Sequence, residues 1–468
     1  MVFSSLVFLF VFLPLIIFIY YISKDKYKNY LILTASLFFY AWGEPIYIVI
    51  MLLSIAVNFI FGKKVCKDNI QSNRKIWLVM SIVFNISMLG IFKYTGFFIE
   101  NINRVFKNNI TDPGIALPLG ISFFTFQAMS YVIDVYRDDA RVQKNLLHLA
   151  LYISLFPQLV AGPIVRYQTV ADQIENRKHT MQKFENGVSR FIIGLAKKVL
   201  LSNSLGMLAD SVFNTQISEL TVLSAWLGII AYSLQIFFDF SGYSDMAIGL
   251  GNMFGFEFLE NFNYPYISKS ASEFWRRWHI SLGSWFRDYI YIPLGGSKKG
   301  KLRNYINLFI VWFLTGFWHG ASWTFIAWGL YFGVLIAIEK AFLGKILDRI
   351  YSPISHLYLV LVVMIGWIFF RANSFTYAFN YIKLLFGLDN NLLYNNLTIM
   401  YLNDYGYIIV LSVIFSVPII PIFKNKLHEF KETHVYYIIR SIVFMSMFGA
   451  IVIELVNSTY NPFLYFRF

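Results

Sequence analysis

The chain has 468 residues, of which 57% are hydrophobic and 14% charged, against roughly 45–50% and 25% for a soluble domain. There is too little polar surface to coat a globule of this size, so the surplus apolar surface has to face lipid and the composition predicts a polytopic membrane protein. Intrinsic disorder, a collagen-like fibre and a disulfide scaffold are excluded by the same numbers, since Cys66 is the only cysteine. The net charge of +13 is read as lysine and arginine on cytoplasmic loops rather than as a nucleic-acid footprint.

In chain order, Met1 to Ile22 is apolar, and its first charges (Lys24, Lys26 and Lys28) follow the run instead of preceding it. It therefore reads as an uncleaved first helix rather than a signal peptide. Further apolar stretches at 30–42, 45–62, 76–92, 117–135, 146–162, 221–238, 304–318, 321–338, 356–370, 405–423 and 435–455 are candidates for spanning or re-entrant helices. Gly43, Glu44 and Pro45 divide the second from the third, because proline restricts the residue before it and glycine frees the turn, which predicts a tight helical hairpin. Alternating sides from there puts Lys63 to Lys75, Arg137 to Lys144, Lys340 to Arg349 and Lys424 to Lys431 in the cytoplasm, with both termini external. The segment 163–204 carries Arg166, Arg177, Lys178, Lys183, Arg190, Lys197 and Lys198 among apolar residues at helical spacing. It is expected to lie along the inner interface. No soluble domain, linker or internal repeat is evident. The chain reads as one membrane-embedded unit over 1–468, with N-terminal helices in 1–115, a core with interfacial helices in 116–340 and C-terminal helices in 341–468.

Polar residues among apolar neighbours are the candidates for function. Within 237–251 stand Asp239, Ser241, Ser244 and Asp245, and an uncompensated carboxylate there costs several kcal/mol, so each must face a cavity, a partner or the interface. A structural reading is open too: Asp239 or Ser241 would cap a helix starting near Tyr243, and Gly242 and Gly249 would permit close helix packing. The segment 273–303 carries Arg276, Arg277 and Arg287 beside tryptophans, which fits either headgroup anchoring or a basic vestibule for an anionic cytosolic ligand. Gly295 to Lys301 matches a phosphate-loop spacing, but Leu302 stands where serine or threonine is needed, so no such loop is expected.

Of the seven histidines, His148, His179, His356, His428 and His434 fall near helix ends or polar loops. His279 and His319 differ. A helix leaving the cytoplasmic face near Tyr305 reaches Trp318 after about 21 Å, short of the roughly 30 Å hydrocarbon core. His319 is thus expected within the membrane's depth, where desolvation favours the neutral imidazole able to accept a proton. No metal site is expected, because H-x-x-x-H and H-E-x-x-H spacings are absent and there is one cysteine. From these residues alone a transporter or flippase without bond-making chemistry fits as well as an enzyme.

The runs FDFSGYSDMAIGLGNMFGFEFLENFNYPY, EFWRRWHISLGSWFRDYIYIPLGG and GFWHGASWTFIAWG resemble the signature of the membrane-bound O-acyltransferase superfamily. More narrowly they resemble its bacterial glycan O-acetyltransferase branch, whose members modify alginate or peptidoglycan. The opening MVFSSLVFLFVFLPL and the ending NPFLYFRF carry the likeness nearly end to end, and teichoic-acid D-alanyl transfer proteins are more distantly similar. The resemblance implies an all-α fold of about 11–13 spanning or re-entrant helices around a transmembrane tunnel. It also implies an essential histidine matched by His319 and a second polar position matched by His279. The implied activity is transfer of an acyl group, acetyl in this branch, from acetyl-CoA or another cytosolic thioester to an extracytoplasmic polysaccharide, with no bound cofactor. D-alanyl transfer to teichoic acid is the runner-up. His319 would be the general base and His279 would orient the donor or stabilise an oxyanion, with Arg276, Arg277 and Arg287 as donor contacts and Asp239, Ser241 and Asp245 as polar tunnel residues. A bacterial inner-membrane location, a glycan biosynthesis complex and an extracytoplasmic partner with a serine-hydrolase-like domain are implied as well.

Overall fold

The computed structural model describes residues 1–68, 73–159, 162–419 and 434–464, and among them the chain is helical with no β-strand. The basic segment Lys424 to Lys431, with His428, lies outside the described residues, as does part of the loop from Lys63 to Lys75. Eight helices among the described residues are long and apolar enough to cross a membrane. Their outward faces carry the surplus apolar surface that the composition requires: Val49 is 63% exposed and Met445 66%, which is stable only against lipid. The protein is therefore a multi-pass, all-α membrane protein.

The chain divides into two compact units, one of residues 1–191 with 246–259 and one of 192–245 with 260–468. The first unit opens with α1 (Phe8–Ile22) and α2 (Asp25–Gly43), then α3 (Ile48–Val65). The α2–α3 break falls at Glu44 to Tyr47, so the hairpin predicted from Gly43, Glu44 and Pro45 is present. Next come α4 (Arg74–Phe106), α5 (Ile121–Tyr136), α6 (Leu146–Ser154) and α7 (Tyr167–Asn176). Asn145 starts α6 by accepting the Leu147 N–H at 2.9 Å, which satisfies one of the amide donors left unpaired at any helix start. Between α3 and α4 the buried amides of Asn58 and Asn85 hydrogen-bond reciprocally at 3.1 and 2.8 Å. Two polar groups that would be costly in lipid thereby become a tie between helices.

Two long helices, α8 (Met181–Asn214) and α9 (Val222–Met253), contribute residues to both units. The α8 helix is long and apolar enough to span, so the expectation that 163–204 lies along the interface does not hold for its C-terminal part. The lysines that suggested an interface, Lys197 and Lys198, are instead ion-paired to carboxylates on α9. Pairing lets a lysine sit at depth where an isolated ammonium could not. The expected helix start near Tyr243 is likewise absent: α9 runs unbroken through it, and Asp239 and Ser241 are mid-helix, where they cap nothing. The proposed close packing is real, because a Cβ on Gly242 would lie 2.7 Å from the Gly194 carbonyl oxygen.

In the second unit a connection leads from α9 to the short helices α10 (Ala271–Arg277) and α11 (Ile280–Phe286). There follow α12 (Lys301–His319), α13 (Trp323–Leu347), α14 (Ser352–Arg371), α15 (Phe375–Leu385), α16 (Asn396–Phe415) and α17 (His434–Asn457). Helices α12 and α13 form a tight hairpin. A Cβ on Gly316 would collide with the Phe325 carbonyl oxygen, and one on Gly329 with that of Trp312, so both positions demand glycine for the backbones to approach.

Candidate functional site

His319 is the last residue of α12 and is only 6% exposed. The helix stops there because Gly320 turns extended and Ser322 caps the next helix, its Oγ accepting the Phe325 N–H. The imidazole sits in an aromatic cage, with ring centroids 4.9 Å from Trp318, 5.0 Å from Trp328 and 5.3 Å from Phe370. It lines a narrow cavity of about 10 Å³ with Ile236, Asp239, Phe240, Trp278, Trp328 and Leu464 among the walls. That volume admits about one water molecule. The histidine expected within the membrane's depth is thus buried beside a small, mainly apolar space.

Asp239, 1% exposed, shares the cavity. Its Oδ1 is 2.7 Å from the Nζ of Lys198, and its Oδ2 accepts the backbone N–H of Leu464 at 2.8 Å. Lys198 Nζ also donates to the carbonyl oxygen of Pro462. A buried ion pair between α8 and α9 therefore grips the segment 462–464 and holds Leu464 against the cavity beside His319. Asp245 makes a second pair, its Oδ2 2.7 Å from Lys197 Nζ, and does not line the cavity. Ser241 is 1% exposed, on the same helix, and does not line it either.

His279 lies in the turn between α10 and α11, is 2% exposed, and has φ +46°, a left-handed backbone that costs a non-glycine residue of order 1 kcal/mol or more. Its ring packs edge-on to Phe240 at 4.6 Å between centroids and stands 6.3 Å from Trp318. Phe240 and Trp318 are thus common neighbours of the His279 ring and of the His319 site. The start of α10, the helix that leads into the His279 turn, is anchored by Glu339 of α13, whose carboxylate accepts the N–H groups of Ala271 and Ser272 at 2.7 and 2.8 Å, the Ser272 hydroxyl at 2.6 Å and the Tyr358 hydroxyl at 3.1 Å. A carboxylate at a helix start satisfies the orphan donors and the positive end of the helix together.

The three arginines separate. Arg277 pairs with Glu273 at 3.0 Å and donates to the Asn263 carbonyl, and Arg287 pairs with Asp288 at 2.7 Å. Arg276 is the exposed one of the α10 pair. Lys198, Glu339, Asn261 and Leu464 were not singled out in the sequence. Lys198 was read with its basic neighbours; Asn261 and Leu464 lie within runs that carry the family likeness, but nothing local there, or around Glu339, marks the residues they bind.

This arrangement, a buried imidazole in an aromatic cage with a second histidine two rings away, falls inside a segment of known kinship. The membrane-bound O-acyltransferase family matches residues 120–376. The chain belongs to this family. It is an acyltransferase. Over its full length it is 38% identical to the probable alginate O-acetylase AlgI of Pseudomonas putida, across 487 aligned residues and all of that protein. It is 33% identical to the peptidoglycan O-acetyltransferase of Helicobacter pylori, across 527 residues and 98% of that protein. Similarity to the teichoic acid D-alanyltransferase of Streptococcus thermophilus is 33% over 244 residues, covering 48% of this chain and 58% of the other. His279, His319, Asp239, Lys198 and Glu339 all fall within the family-matched segment, whereas Leu464 lies beyond it.

Proposed function

We propose that this protein moves an acetyl group from a cytosolic thioester, acetyl-CoA, across the bacterial inner membrane for O-acetylation of an extracytoplasmic polysaccharide such as alginate or peptidoglycan. The observation that carries the reading is His319: an imidazole buried in an aromatic cage beside a small cavity, in a chain whose full-length relatives are named O-acetyl-transferring proteins. Full-length similarity to those relatives, against half-length similarity to the D-alanyltransferase, favours acetyl over D-alanyl transfer.

In the proposed step an acceptor hydroxyl attacks the thioester carbonyl while His319 takes its proton. The C–S bond of the tetrahedral intermediate then breaks, and the proton returns to the departing thiolate, leaving an ester and a free thiol. Such proton transfer contributes typically 10²–10⁴-fold. His279 orients the reacting groups, and Asp239, through Lys198 and Leu464, shapes the cavity wall. Arg276 offers a positive charge to the phosphates of the donor. The immediate acceptor is a separate extracytoplasmic protein with a serine-hydrolase-like domain, within a glycan biosynthesis complex.

The test supplies acetyl-CoA labelled in the acetyl group to the purified protein in liposomes, together with the serine-hydrolase-like partner and alginate or peptidoglycan fragments. Covalently acetylated acceptor and free thiol support the reading, and intact donor with translocated label overturns it. His319→Ala and His319→Asn should both lose transfer by about 10²-fold or more, because an amide hydrogen-bonds but takes up no proton at neutral pH. Unaltered transfer by His319→Ala would remove the general-base assignment.

A further inference from the structure

Asn261 lies in the connection between α9 and α10, and its side chain is fully buried. Its Oδ1 accepts the backbone N–H of Ser281 at 3.1 Å and the hydroxyl of Ser281 at 2.9 Å, and lies 3.2 Å from Nδ1 of His279. Its backbone carbonyl accepts the N–H of Ile280 at 3.0 Å. Asn261 therefore does for α11 what His279, standing at the helix start without a side-chain cap of its own, does not.

These contacts fix a proton. A backbone N–H can only donate, so the atom it meets on Asn261 is the carbonyl oxygen and the amide cannot be turned the other way. An amide oxygen can only accept, so the His279 Nδ1 that faces it carries the hydrogen. A neutral imidazole has one N–H, which leaves Nε2 with the lone pair. Asn261 holds the C-terminal side of the left-handed turn at His279, through Ile280 N–H and Ser281 N–H, so the ring has little freedom to exchange this arrangement for another.

We propose that Asn261 is a positioning residue that locks His279 in the Nδ1–H tautomer, so that His279 presents Nε2 as a hydrogen-bond acceptor for an O–H or N–H group of a substrate. This rests on the acyl-transfer reading above and sharpens it. Of the two roles open to His279, orienting a substrate remains, whereas a neutral ring with its hydrogen on Nδ1 has none at Nε2 to give an oxyanion. Phe240 from α9, Trp318 from α12, and Asn261 with Ser281 are uncharged side chains packed on the ring.

Asn261→Asp separates this role from a structural one. It keeps an acceptor oxygen for Ser281 and the carbonyl for Ile280, but it places a carboxylate on the Nδ1–H and so favours the imidazolium. Once Nε2 is protonated it donates and its acceptor function is lost. Thiol release from acetyl-CoA by the intact protein in liposomes supplied with the same partner and glycan fragments, read across pH, should therefore show Asn261→Asp falling relative to the parent by about tenfold or more as pH drops from about 9 to about 6. Ser281→Ala should leave the pH profile unmoved, and Asn261→Leu should lose activity at every pH. A ratio of Asn261→Asp to parent that is flat with pH overturns the inference. A parent that releases no thiol at any pH overturns the acyl-transfer reading instead.

Discussion

The Nζ of Lys198 lies 2.7 Å from Oδ1 of Asp239, and the two side chains are 4% and 2% exposed. Each ion pays its desolvation through the other and through the backbone of 462–464, so removing one strands a charge. Breaking such a pair costs about 3–5 kcal/mol, whereas removing both charges together costs far less. Lys198→Met and Asp239→Leu should each lower the thermal midpoint in detergent markedly, and the double variant should recover most of the loss. Additive losses in the double variant would show that the pair is not energetically coupled.

Arg276 and Arg277 are adjacent but differently engaged. Arg277 is tied to Glu273 and the Asn263 carbonyl, whereas Arg276 is exposed. Arg276→Ala is expected to raise the KM for acetyl-CoA several-fold with little change in kcat, and added salt should reproduce part of that effect. Arg277→Ala should instead lower stability through the loss of its local ties. An unchanged KM for Arg276→Ala would return that residue to headgroup anchoring.

Cys66 caps the C-terminal end of α3 and is partly exposed. The charge distribution assigns its loop to the cytoplasm. A membrane-impermeant thiol reagent should thus label it in inverted vesicles and leave intact cells unlabelled, and labelling in intact cells would reverse the assigned orientation.

His179 lies between α7 and α8, its Nε2 2.6 Å from the Tyr20 hydroxyl. Burial, and then the neighbouring Lys28 and Arg177 cations, push its pKa below the usual histidine value, against a smaller opposing pull from Asp25. The folded state therefore holds fewer protons than the unfolded one as this group titrates. Its contribution to stability is complete above the unfolded pKa of about 6.5 and is lost as pH falls through the lowered folded value. The thermal midpoint should drop between about pH 7.5 and about pH 5, and His179→Gln should drop less over the same window. An equal drop in both would assign the acid sensitivity elsewhere.

Local chemistry made much of the fold legible. Glycine and proline at Gly43 and Pro45 mark a hairpin because their backbone restrictions act within a residue or two. His319 stood out because no charged residue stands between Arg303 and Glu339. The partners of Asp239 and Asp245 could not be read, because Lys198 and Lys197 lie between forty and fifty residues upstream in a segment whose own charge pattern pointed to an interface. Asn261 was equally hidden: one asparagine in a polar stretch has no periodicity, and its meaning comes only from the turn that folds back over it.

The segment gripped by Lys198 and Asp239 gives synthesis an order. His319, Trp328 and Phe370 leave the ribosome well before Leu464, whose side chain closes their cavity and whose amide completes the coordination of Asp239. A nascent chain that has inserted its earlier helices but not yet delivered 462–464 holds the imidazole behind an unfinished wall, with the Lys198–Asp239 pair lacking two of its backbone ties. Completion of the cavity wall beside His319 thus waits on a segment that follows α17 in the chain.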